Sequence, residues 1–225
     1  MSFDLEIDDV VQTSLESQLD NAASAAEAAR RRLAREDPNI FIPSVLRDQQ
    51  DVSRTIVQGR MHQIWHRIID LYPRVILWSH VSAGKSQQVA VGRVLYEIGR
   101  NPNIRVGICS ASAARAIKMS GNIGQYIEES AELHAIFPDL RMQSKVWSPQ
   151  NWTVRRSSIA TDPTVTAFGI GSSVLGARFD LLILDDVLDH DNTRTENTRK
   201  NTSDYVMSTL FGRLDTGGRV VMIGN

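Results

Sequence analysis

Ser79-His80-Val81-Ser82-Ala83-Gly84-Lys85-Ser86 follows the apolar run Val75-Ile76-Leu77-Trp78 and opens a stretch with helical periodicity. A strand, a turn of small residues, Lys-Ser and then a helix form the cradle that holds phosphates in P-loop proteins. Backbone N–H groups of the turn and of the helix N-terminus point at the phosphates. Lys85 adds a mobile point charge, and the Ser86 hydroxyl is a ligand for Mg²⁺. Ser79 through Ser86, followed by Gln87, are therefore the candidate nucleotide-binding residues. One position departs from the pattern G-x-x-x-x-G-K-S/T, because residue 79 is Ser and not Gly. The change is tolerable if residue 79 lies at the strand end with φ below zero, and costly if the cradle needs a left-handed residue there.

A second stretch supports the first. In Phe179-Asp180-Leu181-Leu182-Ile183-Leu184-Asp185-Asp186 an apolar run ends in two acids, a Walker B pattern. Asp185, at the end of a buried strand, is placed to hold Mg²⁺ where the cation bridges the β- and γ-phosphates. Asp186, one residue on, is the candidate for orienting or deprotonating the attacking water. A glutamate is commoner at that place when an extra strand separates the two Walker motifs, and Asp is one methylene shorter. The third support is Val220-Val221-Met222-Ile223, which ends in Gly224-Asn225. Asn225 reads equally as a γ-phosphate sensor or as a plain turn residue.

Bulk properties bound the rest. The 225 residues, 42% hydrophobic and 23% charged, suffice for one large α/β domain with short appendages. A net charge of −1 gives no global positive field, so contact with a polyanion needs a local patch. Cys109 is the only cysteine; it excludes an internal disulfide and sits in an apolar run, as a buried small hydrophobe would. No apolar stretch approaches a membrane span, so no membrane partner is expected.

Residues 1–12 read as a mobile acidic arm. Leu15, Leu19, Ala22, Ala26, Ala29 and Leu33 then recur at helical spacing, so residues 1–36 form an arm and helix and 37–225 the main domain. The cluster Arg30-Arg31-Arg32 is either a phosphate contact or a last turn complementing the helix dipole. A second helix is expected around 45–71. Strands are expected at 75–78, 104–109, 181–184 and 220–223, with helices between them, among them 112–130 and 196–211. A short antiparallel pair near 152–154 and 164–166 is expected beside the main sheet. This alternation gives an α/β class: a P-loop fold of the additional-strand, RecA/helicase-like type, with a mainly parallel sheet flanked by helices and an N-terminal helical extension.

In this order the pieces resemble the ATPase domain of the large terminase subunit, the DNA-packaging motor of tailed bacteriophages. The resemblance extends to His62-Gln63-Ile64-Trp65, to Ser110-Ala111-Ser112 with Ala116, to Phe137-Pro138 and Trp147, to Gly176-Ala177-Arg178-Phe179-Asp180, and to Arg213-Leu214 running toward the last strand. It implies ATP and Mg²⁺ as cofactors, with Lys85 and Ser86 on phosphate and metal, Asp185 on metal, Asp186 on water and Asn225 on coupling. A glutamine before the P-loop would read adenine; Gln49, Gln50 and Gln63 compete for that role. The arginine that many terminases carry inside the P-loop is missing from 80–83. Arg178 is the candidate replacement, acting on a neighbouring subunit's nucleotide, or else an ion-pair partner of Asp180 or another acid.

The implied partners are double-stranded DNA, the portal of a procapsid and a small terminase subunit, with a homo-oligomeric ring on assembly and a monomer as an isolated fragment. The implied location is the host bacterial cytoplasm, transiently at the portal vertex. The family's nuclease half would lie beyond residue 225, so no nuclease activity is expected of a chain that ends just after an apolar strand. Two other readings stay open: a superfamily 2 helicase or DNA-translocase lobe, and a nucleotide-binding scaffold that does not hydrolyse. Arg194, Arg199 and Lys200 are either a DNA grip or a solvated helix face.

Overall fold

The computed structural model describes the backbone of residues 3–225 apart from 49, 146 and 175, and side chains from Glu16 on. Six strands form one sheet in the order β1-β6-β5-β2-β4-β3. Here β1 is Arg74–Trp78, β2 Val106–Ser110, β3 Asn151–Trp152, β4 Val165–Gly169, β5 Phe179–Asp185 and β6 Leu214–Gly224. All neighbours are parallel except the β3–β4 pair. The last strand in sequence thus inserts between the P-loop strand β1 and the acid-bearing strand β5. That is the additional-strand arrangement. β2 is buried along its whole length and β5 nearly so, which is why both read as continuous apolar runs rather than alternating ones.

Helices cover the sheet. They are α1 (Phe3–Glu36), α2 (Pro38–Val45), α3 (Arg60–Leu71), α4 (Val94–Arg100), α5 (Ala113–Glu129), α6 (Ala131–Ile136), α7 (His190–Thr193) and α8 (Glu196–Asp204). Leading into α4 is a π-helical segment, Ser86–Arg93, which starts at the P-loop serine. Widened turns of this kind recur at functional sites. A second π-helical segment, Tyr205–Leu210, continues α8 toward β6.

Three expectations need correction. The helix expected from residue 13 begins at Phe3, so the acidic arm forms its first turns. The single helix expected around 45–71 is helical only over Arg60–Leu71; 46–59 is a loop, and a separate helix, α2, precedes it. Asp37 caps α2 by accepting from the Asn39 N–H, with Pro38 at its first turn. In the loop, Asp48 and Asp51 accept from the N–H groups of Gln50 and Ser53, local bonds that compete with a helix. Third, β4 is not beside the main sheet but within it, paired parallel to β2 from Val106↔Val165 to Ser110↔Gly169.

A charged network lies under the P-loop helix. Arg93, 1% exposed, donates to Glu97 (2.8 and 2.7 Å), to the His66 carbonyl (3.2 Å) and to Asp70. Arg219 of β6 closes on the other Glu97 oxygen at 2.6 Å. These ion pairs tie α3, the P-loop helix and the inserted strand together. Truncating one member leaves buried charge uncompensated. Arg93→Ala should therefore lower the unfolding free energy by about 3–5 kcal/mol in urea titration, whereas an exposed change such as Arg67→Ala should shift it by under ~0.5 kcal/mol.

Candidate functional site

Parallel strands in register bring the informative residues to one edge. Trp78 is opposite Gly224, Asp185 opposite Ile223, and Ser110 opposite Asp185, so the C-terminal ends of β1, β6, β5 and β2 are level. Ligands of open α/β sheets bind at that edge. The loop from Ser79 to Gly84 leaves β1 there. The Ser79 N–H donates to the Gly224 carbonyl at 3.2 Å, and Ser79 is not in the left-handed region. The missing glycine therefore imposes no backbone strain at 79. Positive φ falls instead on Gly84 (75°) and Ser82 (64°), so Ser82 is the non-glycine residue that holds a left-handed conformation in the loop. His80, Val81 and Ser82 are exposed at its outer rim, whereas Ala83 is buried.

Lys85 is 5% exposed. Its Nζ donates to the carbonyls of Ser79 and His80, both at 2.8 Å, and to Asn225 Oδ1 at 2.5 Å. Asn225 Nδ2 in turn donates to both Asp186 oxygens, at 3.1 and 3.2 Å. The Ser86 hydroxyl donates to Asp185 Oδ1 at 2.9 Å. The three separate sequence signals thus converge on one hydrogen-bonded cluster, and the terminal asparagine bridges the P-loop cation and the second acid. Asp186 has a φ of 44°, a strained turn that brings its carboxylate back over the strand ends.

Burial pushes the Asp185 carboxyl up to about 6, with the neighbouring Asp186 charge adding to the rise; Ser86, Arg115 and Lys85 oppose it. A hydroxyl and a carboxylate oxygen 2.9 Å apart are hard donors of the kind Mg²⁺ takes, with phosphate and water completing the shell. Among the described residues no group of three or more His, Cys, Asp or Glu makes an all-protein metal cage. Two protein oxygens suit a metal brought in with a nucleotide.

The loop rests on α3. Gly59 N–H donates to His62 Nδ1 at 3.0 Å, which leaves the proton on Nε2; Nε2 donates to the Ala83 carbonyl at 2.9 Å. Gln88, 3% exposed, accepts from Gln58 Nε2 at 2.8 Å and, more weakly, from His66 at 3.4 Å. His66 is buried next to Arg93, and its pKa falls to about 4, so it stays neutral near pH 7.

Not every expected residue joins. Gln63 is exposed on α3, and Gln49 lies outside the described residues. A cleft of about 880 Å³ opens beside Ser86 and Gln87, walled by α5 on one side and by Arg47, Asp48 and Val52 on the other. The loop carrying Gln50, rather than Gln63, therefore borders the space next to the phosphate cradle. Arg178 precedes β5 and so sits at the opposite edge of the sheet from Asp185, donating to the Gly212 carbonyl at 3.3 Å. It cannot serve its own subunit's phosphates. Asp180, its expected alternative partner, is taken by Arg105 at 2.7 and 3.0 Å.

Arg115, on the first turn of α5, was not singled out from sequence. It lines both the large cleft with Asp185 and Asp186 and a smaller one, of about 160 Å³, with Asp186 and Asn225. The signal available was its place three residues after Ser112 in the strand-to-helix segment. An exposed arginine on a helix carries no mark of what faces it across the sheet.

The chain shares the fold of a bacteriophage large terminase. The crystal structure of the HK97 bacteriophage large terminase matches with a TM-score of 0.57 at 12% identity, covering 84% of this chain and 37% of that one. This chain therefore spans well under half of that terminase. Two structures of the large terminase ATPase domain from Thermus phage P74-26, one of them a mutant, match at TM-scores of 0.44 and 0.45 with 17% identity. They cover 75% of this chain and 65% and 64% of theirs. No protein-family model and no curated protein matches the sequence. No helix among the described residues is long and apolar enough to cross a membrane.

Asp185 gives a pH test. Its folded-state value of about 6 lies above its ordinary 3.8, so the folded protein takes up its proton first as pH falls. The ionised carboxylate weakens folding above about pH 6 and has no such effect below about pH 4. In urea titrations of the unliganded protein, Asp185→Asn should be more stable than the parent by on the order of 2–3 kcal/mol near pH 8. That gap should close between about pH 6 and pH 4.

Proposed function

We propose that this chain is the ATP-hydrolysing motor domain of a viral genome-packaging terminase, translocating double-stranded DNA into a procapsid. The observation that carries the reading is the chain of contacts from Lys85 through Asn225 to Asp186, with Ser86 and Asp185 alongside. A phosphate-binding cation, a metal seat, a candidate base and a polar bridge between them meet at one sheet edge. The ordered motifs and the terminase fold support the packaging role over a helicase lobe. The internally bonded acids and lysine argue against a scaffold with a damaged cradle.

In this reading, arriving phosphates replace the Ser79 and His80 carbonyls and Asn225 as partners of Lys85. Backbone N–H groups of Gly84, Lys85 and Ser86 hold the phosphate oxygens. Ser86 and Asp185 would hold Mg²⁺, which when bound would offset negative charge on the nucleotide. Asp186 accepts the proton of the attacking water. Once Lys85 turns to phosphate, the Asn225 carbonyl loses its donor, so the asparagine and its Asp186 bonds must rearrange with the state of the nucleotide. Arg115 supplies the cation missing from the P-loop, facing Asp185 and Asp186 from across the cleft. Arg178 reaches only a neighbouring subunit's site. DNA, the portal, a small terminase subunit and a ring of copies are the partners of this motor, working in the host cytoplasm and at the portal vertex.

ATP turnover with double-stranded DNA should exceed that of Lys85→Ala; equal rates in well-folded protein would overturn the reading. Asp186→Asn should retain nucleotide binding and lose about 10²–10⁴ in kcat, the usual worth of a positioned base. Arg115→Ala should lower kcat by about 10²-fold with KM little changed. Mixing it with Lys85→Ala should give no recovery, because the arginine acts within its own subunit.

A further inference from the structure

A buried hydroxyl normally finds a partner, because one left without an acceptor costs stability. Among the described residues five buried polar side-chain atoms have no hydrogen-bond partner, and Ser110 Oγ is the one that lies on a strand. Ser110 ends β2 and is fully buried. The backbone around it is well bonded. Its carbonyl accepts from the Ile170 N–H at 2.9 Å, and the next N–H, that of Ala111, donates to the Asp186 carbonyl at 3.3 Å. Only the hydroxyl is left over. An alanine, with nearly the same shape, would avoid the penalty.

Strand register shows which group the hydroxyl can meet. β2 lies between β4 and β5, with Ser110 opposite Gly169 on one side and opposite Asp185 on the other. Gly169 has no side chain to offer. Neighbouring strands are about 4.8 Å apart. Side chains alternate along each strand, and Ile108 and Ile183 join one core cluster while Cys109 and Leu184 join the other. Ser110 and Asp185 therefore share the face of Ile108 and Ile183, side by side on adjacent strands. Asp185 Oδ1 accepts instead from the Ser86 hydroxyl, and Asp185 lines the large cleft. A carboxylate that ligates a metal is itself hydrogen-bonded, and that bond fixes its direction.

We propose that Ser110 is a positioning residue of the metal seat: with Mg²⁺ on Ser86 and Asp185, the Ser110 hydroxyl donates to the Asp185 oxygen turned away from the cation. The inference rests on the nucleotide reading above and adds a residue to it. Ser110 touches neither phosphate nor metal. It acts through Asp185, keeping one carboxylate oxygen aimed at the cleft. The cost of the unpaired hydroxyl falls on the folded chain and is relieved when the site is loaded, which adds to metal affinity.

Calorimetric binding of a non-hydrolysable ATP analogue, in Mg²⁺ and again in EDTA, tests this. Ser110→Ala should bind about tenfold more weakly than the parent in Mg²⁺, as expected for loss of a hydrogen bond to a charged group, and equally well in EDTA. On an Asp185→Asn background, Ser110→Ala should cause no further loss, because the serine acts through that carboxylate. In urea titrations without nucleotide, Ser110→Ala should be at least as stable as the parent. A clear loss of stability there would show that the hydroxyl is already bonded, and would overturn the proposal. So would parental binding by Ser110→Ala in Mg²⁺, or an equal loss in Mg²⁺ and EDTA. Those results would leave the ATPase reading standing. A parent chain that binds the analogue no better in Mg²⁺ than in EDTA, and no better than Lys85→Ala does, would overturn both.

Discussion

The strand β6 carries the site. Its Gly224 carbonyl accepts from the Ser79 N–H at the mouth of the P-loop, and its Ile223 carbonyl accepts from the Asp186 N–H beyond β5. One backbone therefore fixes the height of both Walker segments, and the next residue, Asn225, places an amide between their side chains. Without the inserted strand, β1 and β5 would be neighbours, and no residue would stand between Lys85 and Asp186. At its other end β6 is held by Arg219 on Glu97. The strand that touches the candidate chemistry is thus also tied to the helix that follows the P-loop.

Within this frame the site is balanced by its own groups. A buried ammonium is costly unless its protons are bonded, and Lys85 has three oxygen partners for three N–H groups. Asp185 is destabilised by burial and by Asp186, and relieved by Ser86, Arg115 and Lys85. Added cations and anions would exchange these internal partners for external ones, and the acceptors that Lys85 releases, the Asn225 carbonyl among them, would have to find other donors. Such a balance lets a buried cluster stay folded while it waits for a charged ligand.

Support for the loop comes from groups that carry no motif. The His62 ring is set by the Gly59 N–H and so presents a donor to Ala83. Gln58, Gln88 and neutral His66 pack polar atoms beneath the helix. Arg93 then joins that helix to α3. Ser82 holds its left-handed conformation inside this surround.

Much of the molecule is legible in the sequence, for a physical reason: strands buried on both faces must be continuous apolar runs, and acids or Lys-Ser just after such runs must lie at their ends. That logic places Lys85, Ser86, Asp185, Asp186 and Asn225 at one edge from the sequence alone. It also places Arg178 at the other edge, since that residue precedes its strand, an inference of direction that the motif order obscured. What the sequence leaves open depends on contacts between distant segments. Whether 46–59 is helix or loop turns on local Asp bonds competing with apolar spacing. Where β4 pairs turns on partners some sixty residues away, Val106 with Val165. That Arg115 faces the acids, and that Asn225 bridges Lys85 to Asp186, follow from strand order, which no local pattern encodes. The chain's composition determined which elements form and which of their ends are polar. Only the tertiary structure decided which ends meet, because that choice is made by long-range pairing and burial.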